Sequence, residues 1–349
     1  MLMLIFGAGA SFDSYVSRPP GATYPPQEYR PPLTNELFED RPAFNKAFQQ
    51  FDKGQPLFAK LRYLSDAETL EQVLERVDAE SQGYSEGRKQ LAAIRYYIQS
   101  VISECEVKWG NVHMGATNHK VLFNRIEFWR APRNESVYIV TFNYDRLIEE
   151  ALSMFDLPFT DMRHYTQHPS YRVIKLHGSV NWAHPTRLPI PNIERMSSNG
   201  VAQQMIRGID SASVSLKDFE IQNTFPPTQI EGFAYLPAIA IPVQAKSSFE
   251  CPEDHVNVLT RVVPEVDKLV IVGWRGQEHR FTGLFKLLQR HVAVLIVAGD
   301  ETDVYKTRAA LEAAGLDGVY TPYPHGFSNL IRDEPIIDKF LSIQSVHSG

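Results

Sequence analysis

The sequence predicts an α/β fold with a doubly wound parallel sheet. Five short apolar runs, rich in valine, isoleucine and leucine, have the length and composition of strands that are buried on both faces. They cover Leu2–Phe6, Val137–Thr141, Tyr171–Leu176, Lys268–Gly273 and Val292–Ala298. Helical patterns such as the one over Thr302–Ala314 lie between or after these runs, and this alternation favours parallel strand order.

Polar residues follow three of the predicted strands, directly where each strand ends. The three segments are Phe6-Gly7-Ala8-Gly9-Ala10-Ser11, Thr141-Phe142-Asn143-Tyr144-Asp145 and Lys175-Leu176-His177-Gly178-Ser179. Open α/β sheets bind their ligands outside the carboxyl ends of the strands. The sequence therefore predicts that a phosphate-binding turn, an amide and a histidine face one crevice.

The first segment has the features of a dinucleotide-binding turn. Gly7 and Gly9 lack a Cβ, so their backbone N–H groups can approach a pyrophosphate, and Ser11 can open the next turn and donate a hydrogen bond. The third glycine of the dehydrogenase fingerprint is missing, and Gly-x-Gly after a strand also occurs in ordinary tight turns. The segment is compatible both with cofactor binding and with a purely structural turn.

The second and third segments supply groups for hydrogen bonding and proton transfer. Asn143 carries a donor and an acceptor, Asp145 is an acceptor, and His177 can move protons near neutral pH. Each has a structural alternative, since Asp145 can cap the helix that follows it and a histidine before glycine can be an ordinary loop residue. Similarly, Asp300 can bind an adenosine ribose or cap the next helix.

Two long segments interrupt the predicted sheet, and the whole chain 1–349 is interpreted as one domain that contains them. We expect residues 34–130 to form a helical insertion, in which Ser65-Asp66-Ala67-Glu68 is a capping box. Residues 182–242 are expected to form a second insertion: a lid, a partner surface or a poorly ordered arm. The proline-rich stretch 18–32 is expected to be a loop over the site.

Composition restricts the class of protein. With 349 residues and 43% hydrophobic content, the chain can bury a full core. Its two cysteines, Cys105 and Cys251, provide neither a disulfide framework nor a four-cysteine zinc cluster. No apolar run approaches the roughly 18 residues of a membrane span and no signal peptide is visible, so we expect a cytoplasmic protein. The net charge of −6 argues against a broad nucleic-acid surface.

At these motifs the chain resembles the sirtuin family, in particular the divergent sirtuin-like domains of bacterial anti-phage defence proteins. Residues 7–11 stand where sirtuins bind the diphosphate of NAD, residues 141–145 stand for the Gln-Asn-Ile-Asp motif, and residues 176–178 carry the family histidine. Residues 30–34 look like the proline-rich cofactor loop, and residues 269–274, with Gly273, look like the later strand and glycine turn that reach the nicotinamide-proximal ribose side. The resemblance implies a Rossmann-like, sirtuin-like sheet without the zinc module.

The resemblance also implies an activity, with NAD as the substrate and no metal. The chain would be an NAD+ glycohydrolase that releases nicotinamide and ADP-ribose. Asn143 would hold the attacking water or the ribose hydroxyls, His177 would act as the base, and Asp145 would orient Asn143 or the nicotinamide end. No glutamine precedes Asn143 and no groove for an acetyl-lysine peptide is recognisable, which favours water as acceptor. The residues expected to bind the cofactor are Gly7, Ala8, Gly9, Ser11, Asp145 and Gly273.

Two other functions stay open at this stage. One is a module that senses NAD or ADP-ribose without turning it over, and the other is a zinc-free NAD-dependent protein deacylase. Because Asn143 and His177 are both present, an enzyme is favoured over a sensor. An unchecked NADase would kill its host, so the resemblance implies an effector of abortive infection gated by homo-oligomerisation or by a separately encoded activator or sensor protein.

Overall fold

The structure, a computed structural model, describes residues 1–15, 27–65, 68–223, 234–243 and 248–343. These residues contain ten strands and fourteen α-helices, numbered here in chain order. The strands are β1 (Leu2–Phe6), β2 (Val137–Thr141), β3 (Tyr171–Lys175), β4 (Gly178–Arg187), β5 (Ser213–Val214), β6 (Glu220–Ile221), β7 (Ala234–Ile239), β8 (Lys268–Val272), β9 (Val292–Val297) and β10 (Gly318–Tyr323).

The helices differ widely in length, and a very short one follows β1 directly. They are α1 (Ala8–Phe12), α2 (Pro42–Gln50), α3 (Gln55–Arg62), α4 (Leu70–Ser81), α5 (Ser85–Val112), α6 (Asn118–Arg130), α7 (Leu147–Leu152), α8 (Arg163–Gln167), α9 (Ser198–Gly208), α10 (Glu253–Val262), α11 (His279–Thr282), α12 (Glu301–Ala313), α13 (Gly326–Arg332) and α14 (Glu334–Ser342). In the described residues, no helix has both the length and the apolar character needed to cross a membrane.

Six strands form one parallel sheet that helices flank. Their order across the sheet is β3-β2-β1-β8-β9-β10, and every neighbouring pair is parallel. Counted along the chain, these six strands are therefore arranged 3-2-1-4-5-6, which is the order of the doubly wound Rossmann fold. The predicted α/β class with a Rossmann-like parallel sheet is confirmed.

The central strands are the ones that the sequence predicts most accurately. Every residue of β1, β2 and β8 is buried, because their continuous apolar side chains meet covering elements on both faces of the sheet. Strand β10 was not predicted from the sequence. It lies at the sheet edge, is largely half-buried or exposed, and contains Pro322, which an edge strand tolerates and a central strand does not.

The chain divides into two compact units. The first comprises the described residues of Met1–Pro25, Gly110–Leu176 and Glu253–Gly349 and contains the parallel sheet. The second comprises the described residues of Pro26–Trp109 and His177–Pro252. It contains a small antiparallel sheet in which β4 pairs with β5, β6 and β7.

The segments predicted as insertions contain regular structure. Described residues of 34–130 include α2 to α6, and those of 182–242 include most of β4, all of β5 and β6, α9 and β7. Residues 224–233 of the second segment and residues 18–26 of the proline-rich stretch lie outside the described residues. Where the proline-rich stretch is described, it contains a short 3-10 turn at Gln27–Tyr29.

The predicted capping box is wrong in its position. Helix α4 begins at Leu70, and Thr69 is its N-cap. The Thr69 N–H donates to Gln72 Oε1 at 3.0 Å, and Thr69 Oγ1 accepts the Gln72 N–H at 3.3 Å. These two reciprocal bonds satisfy the N–H groups of Thr69 and Gln72 at the start of the helix. Of the box expected at 65–68, Asp66 and Ala67 lie outside the described residues.

A charged cluster ties helix α5 to the strands of the second unit. Arg95 donates to Glu250 Oε2 at 2.9 Å and to the carbonyl of Ile239. The fully buried His184 contacts Glu250 Oε1 through Nε2 at 2.6 Å and the Asp218 carbonyl through Nδ1 at 2.9 Å. Burial alone would raise the pKa of Glu250, but Arg95 and His184 outweigh it and hold the pKa at about 2.

This cluster predicts an acid-sensitive term in stability. The folded-state pKa of Glu250 lies below its ordinary value of 4.5, so the carboxylate stabilises the fold above pH 4.5 and this contribution is lost as the pH falls toward 2. In Glu250→Gln the free energy of unfolding should therefore depend less on pH, by about 3 kcal/mol over this window. Denaturant unfolding in a pH series measures the difference.

The control for this measurement is Glu265→Gln, which makes the same change at a half-exposed carboxylate paired with Arg290. It should leave the pH profile close to that of the wild type, because exposed ion pairs contribute little. Parallel profiles for Glu250→Gln and the wild type would contradict the prediction.

Candidate functional site

The parallel sheet reverses its strand order between β1 and β8, and this switch point is where doubly wound sheets bind ligands. Three chain segments leave the sheet at or beside it. Gly7–Ser11 follow β1, Gly273 and Trp274 follow β8, and Phe142–Asp145 follow β2, the other neighbour of β1. The fold therefore brings the glycine turn and the asparagine segment to one edge of the first unit.

The glycines of these turns are required by backbone packing. A Cβ on Gly7 would lie 2.5 Å from the Gly273 carbonyl oxygen, and one on Gly9 would lie 2.8 Å from Gly273 Cα. Gly273 itself has φ +60, and a Cβ there would lie 2.4 Å from the Ala10 nitrogen. A side chain at any of the three would force the two turns apart. The structural alternative for this segment is thus real, and it does not exclude ligand binding.

Most N–H groups of the glycine turn donate within the protein. The Gly7 N–H donates to the Val272 carbonyl and the Gly9 N–H to the Gly273 carbonyl, each at 3.0 Å. Among the described residues, none accepts the N–H of Ala8, the first residue of α1. The Ala8 N–H is therefore a backbone donor that the turn can offer an anion at the start of a helix.

Asn143 is bonded into the glycine turn. Its backbone N–H donates to Thr141 Oγ1 at 3.1 Å, and its side-chain Nδ2 donates to the Gly7 carbonyl at 2.9 Å and to Ser11 Oγ at 2.8 Å. A carbonyl can only accept, so the atom that faces Gly7 must be the amide nitrogen. Both amide hydrogens are committed in this way, and what Asn143 can offer a ligand is its acceptor oxygen Oδ1.

Ser11 and Asp145 continue this network. The Ser11 hydroxyl donates its one hydrogen to Asp145 Oδ2 at 2.6 Å, and the other carboxylate oxygen accepts the Leu147 N–H at 3.1 Å. Asp145 thus orients Ser11 and also holds the first residue of α7, which unites the two roles considered from the sequence. Ser11 is buried, and its hydrogen points to Asp145, which leaves it to act on a ligand through Asn143.

A buried lysine, which sequence reasoning missed, supports the same segment. Lys175, the last residue of β3, is fully buried, and its ammonium group donates to the Asp145 carbonyl and to Glu149 Oε1, the latter at 2.9 Å. Tyr165 donates to the same Glu149 oxygen at 3.0 Å. The only signal in the sequence is a lysine at the end of an apolar strand, and lysine side chains are more often exposed than buried.

An aromatic cluster covers the other side of the segment and was also missed. The rings of Phe142 and Trp274 are stacked, with centroids 5.4 Å apart and planes 6° from parallel, and Phe281 packs edge-on to both. The indole N–H of Trp274 donates to Glu278. This packing ties the end of β2 to the turn after β8. Two aromatic residues that each follow a strand were the available signal.

His177 lies directly after Leu176, and it is the first residue of the segment His177–Pro252 of the second unit. Its side chain is buried, and its carbonyl accepts the Ala240 N–H at 2.9 Å. The next residue, Gly178, has φ +79, and a Cβ there would lie 1.9 Å from the Ala238 carbonyl oxygen. The histidine is therefore held at a backbone position that the β4–β7 pairing fixes on its C-terminal side.

Asp300 and the side chains that could ligate a metal or form a disulfide are the remaining candidates. Asp300 is the N-cap of α12, since its Oδ1 accepts the Asp303 N–H at 2.8 Å. Across the described ranges, no group of three or more histidine, cysteine, aspartate or glutamate side chains could hold a metal ion. Cys105 and Cys251 are both buried and form no disulfide.

No protein-family model matches the chain, and no curated protein gives a significant match. The chain is similar to a solved structure that addresses the structural basis of sirtuin substrate affinity: identity is 14%, coverage 95% of this chain and 92% of that chain, and TM-score 0.37. It is also similar to a structure of Sir2 with a p53 peptide and NAD+, at 14% identity, 97% and 93% coverage and TM-score 0.38. Both of these structures are of sirtuins.

Proposed function

We propose that this chain is an NAD+ glycohydrolase, with water as the acceptor. The observation that supports it is the bonding of the Asn143 amide into the Gly7–Ser11 turn at the switch point of a Rossmann-ordered sheet. A dinucleotide bound across that point would have its diphosphate at the start of α1. Asn143 Oδ1 would then lie beside the turn and could accept a hydrogen bond from a ribose hydroxyl or a water.

The proposed reaction breaks the bond between the nicotinamide nitrogen and C1′ of the ribose. Nicotinamide is a pyridinium in NAD+, so it leaves with the bonding electron pair and needs no proton. A water oxygen bonds to C1′, and a base takes the proton that this water loses. The site must therefore stabilise an oxocarbenium-like transition state and hold a water in line.

The proposal gives Ala8, Ser11, Asn143 and Asp145 roles that follow from their hydrogen bonds. Ala8 offers its N–H to a diphosphate oxygen, and Asn143 Oδ1 accepts a hydrogen from the water or from a ribose hydroxyl. Ser11 and Asp145 fix the orientation of the Asn143 amide. The base is assigned to His177 on its Leu-His-Gly motif. The glycines at 7, 9 and 273 form the cradle, Gly273 toward the ribose.

The setting of this activity is part of the proposal. A cytoplasmic enzyme that destroys NAD+ needs a gate, so we propose that activity appears on homo-oligomerisation or on binding a separately encoded activator or sensor protein. In that form the chain would be an effector of anti-phage abortive infection. We propose no direct contact with nucleic acid or membrane.

The first prediction concerns products. The activated protein should convert NAD+ to nicotinamide and ADP-ribose in equal amounts, because the acceptor is water. Chromatography after incubation of the chain alone, of its concentrated oligomers and of complexes co-purified with the products of its native operon measures this. Intact NAD+ in all three states, together with tight NAD+ binding, would instead identify a sensing module.

The second prediction concerns the acceptor and the base. His177→Ala should lower kcat by about 100-fold or more, since general bases contribute factors of this size. Asn143→Ala should do likewise, because it removes the oxygen that positions the water or the ribose. The control for Asn143 is Asn118→Ala, which removes another buried amide that donates to a backbone carbonyl, Asp13 at 2.6 Å, and to a serine hydroxyl, Ser328 at 2.9 Å. It should cost stability and leave kcat in the wild-type range. Unchanged turnover in either site variant would remove that residue from the mechanism.

The third prediction separates the hydrolase from a zinc-free or zinc-dependent deacylase. With only two cysteines, the protein should contain no stoichiometric zinc, and a chelator should leave its melting temperature unchanged. NAD+ consumption should proceed without acetylated peptide and should not accelerate when one is added. Elemental analysis and paired assays with and without an acetyl-lysine peptide measure both. Turnover that requires the peptide would make the deacylase the better hypothesis.

A further inference from the structure

The lysine beneath the asparagine segment is costly to bury, and the fold of the sheet does not need it. Lys175 ends β3 with no exposed side-chain surface, in a strand whose other buried positions are Tyr171, Val173 and Ile174. An apolar side chain of similar volume can often replace a buried ion pair without loss of stability. The charge at this position therefore calls for an explanation other than packing.

Lys175 is held at both ends. Its main-chain N–H donates to Nδ1 of His255 at 3.2 Å, and burial lowers the pKa of that imidazole to about 3, so the ring is neutral and can accept. At the other end the ammonium lies between Glu149 Oε1 and the Asp145 carbonyl. Glu149 is itself fixed by Tyr165. The ammonium position is thus determined by two acceptors, one of which Tyr165 holds in place.

The Asp145 carbonyl is the part of this arrangement that reaches the site. It belongs to the loop of residues 142–146, which joins β2 to α7 and lies outside both elements. The carboxylate of the same residue orients Ser11, and through it the amide of Asn143. A shift of Asp145 would therefore move the whole chain of bonds that ends at Asn143.

We propose that Lys175 is a positioning residue: its ammonium fixes the 142–146 loop, so that Asn143 presents Oδ1 to the reacting ribose or water. The effect of Lys175 on turnover rests on the proposed glycohydrolase function. Its effect on the position of the loop rests on the structure alone. Lys175 touches no substrate in this scheme and acts only through Asp145, Ser11 and Asn143.

The test uses a variant that loses the bond between Lys175 and the loop but keeps the stability of the protein. Lys175→Met alone leaves the Glu149 carboxylate buried and unpaired, which destabilises the protein for a reason unrelated to the loop. The double variant Lys175→Met/Glu149→Gln removes that charge and keeps an oxygen for Tyr165 to bind. Its melting temperature should therefore recover, while the bond to the Asp145 carbonyl remains absent.

The matched control is Lys268→Met. Lys268 is also buried and lies in the same sheet, but it is the first residue of β8, whereas Lys175 is the last residue of β3. Its ammonium lies 5.7 Å from the centre of the Trp129 ring, at the amino end of the parallel strands. This variant makes the same chemical change away from the loop. It should leave both loop exchange and turnover as in the wild type.

Two readouts are measured on fully folded samples: amide hydrogen exchange of residues 142–147, and the steady-state kinetics of NAD+ hydrolysis. In the double variant these amides should exchange about tenfold faster or more, because local opening becomes easier. Its kcat should fall by about tenfold or more with a smaller change in KM, because the acceptor is misplaced and not removed.

Unchanged loop exchange in the double variant would overturn the proposal, and so would accelerated exchange with wild-type kcat. If the wild type itself leaves NAD+ intact in every assembly state, the proposed function fails, and loop exchange still decides whether Lys175 fixes the loop. An equal loss of kcat in Lys268→Met would assign the effect to general destabilisation and also overturn the proposal.

Discussion

The first unit depends on the contact between two backbone turns, Gly7–Gly9 after β1 and Gly273 after β8. No Cβ fits at any of the three glycines, and the Gly9 N–H donates across the contact to the Gly273 carbonyl. This closes the sheet at its switch point and leaves the Gly7 carbonyl directed at Asn143. The position of the site amide is thus set by main-chain atoms, which a change of side chain elsewhere does not easily move.

The direction of the hydrogen bonds restricts the chemistry of the site. Gly7 accepts from the Asn143 amide, the amide also donates to Ser11, and Ser11 donates to the Asp145 carboxylate, whose other oxygen accepts from Leu147. Each hydrogen in this series has one acceptor. Of the groups beside this series, the Ala8 N–H suits an anion, and the Asn143 oxygen suits a hydroxyl or a water. In the proposed reaction, the N–H would suit the diphosphate of NAD, and the oxygen would suit a ribose hydroxyl.

The sequence predicts the parts of this fold in which a residue's chemical type alone determines whether it is buried. Strands such as β1 and β8 are continuous apolar runs because both of their faces are covered, and their bounds were predicted to within one residue. β4 was not predicted, because Asn181, His184 and Pro185 break its apolar pattern even though nearly all of it is buried. The same holds for the site: the turn and Asn143 follow strands and can be recognised, whereas Lys175 is buried only because Glu149 and His255, distant in sequence, pack against it.

The loop of residues 142–146 explains why a chain would retain so costly a lysine. A loop beside a binding site cannot form a full set of strand or helix bonds, so its buried carbonyls need donors from side chains. The Asp145 carbonyl obtains one from Lys175, and the carboxylate of Glu149 then balances the charge. A methionine would fill the space but would leave that carbonyl without a donor. Burial of the ion pair is therefore a consequence of holding an irregular loop still next to the acceptor that the proposed reaction needs.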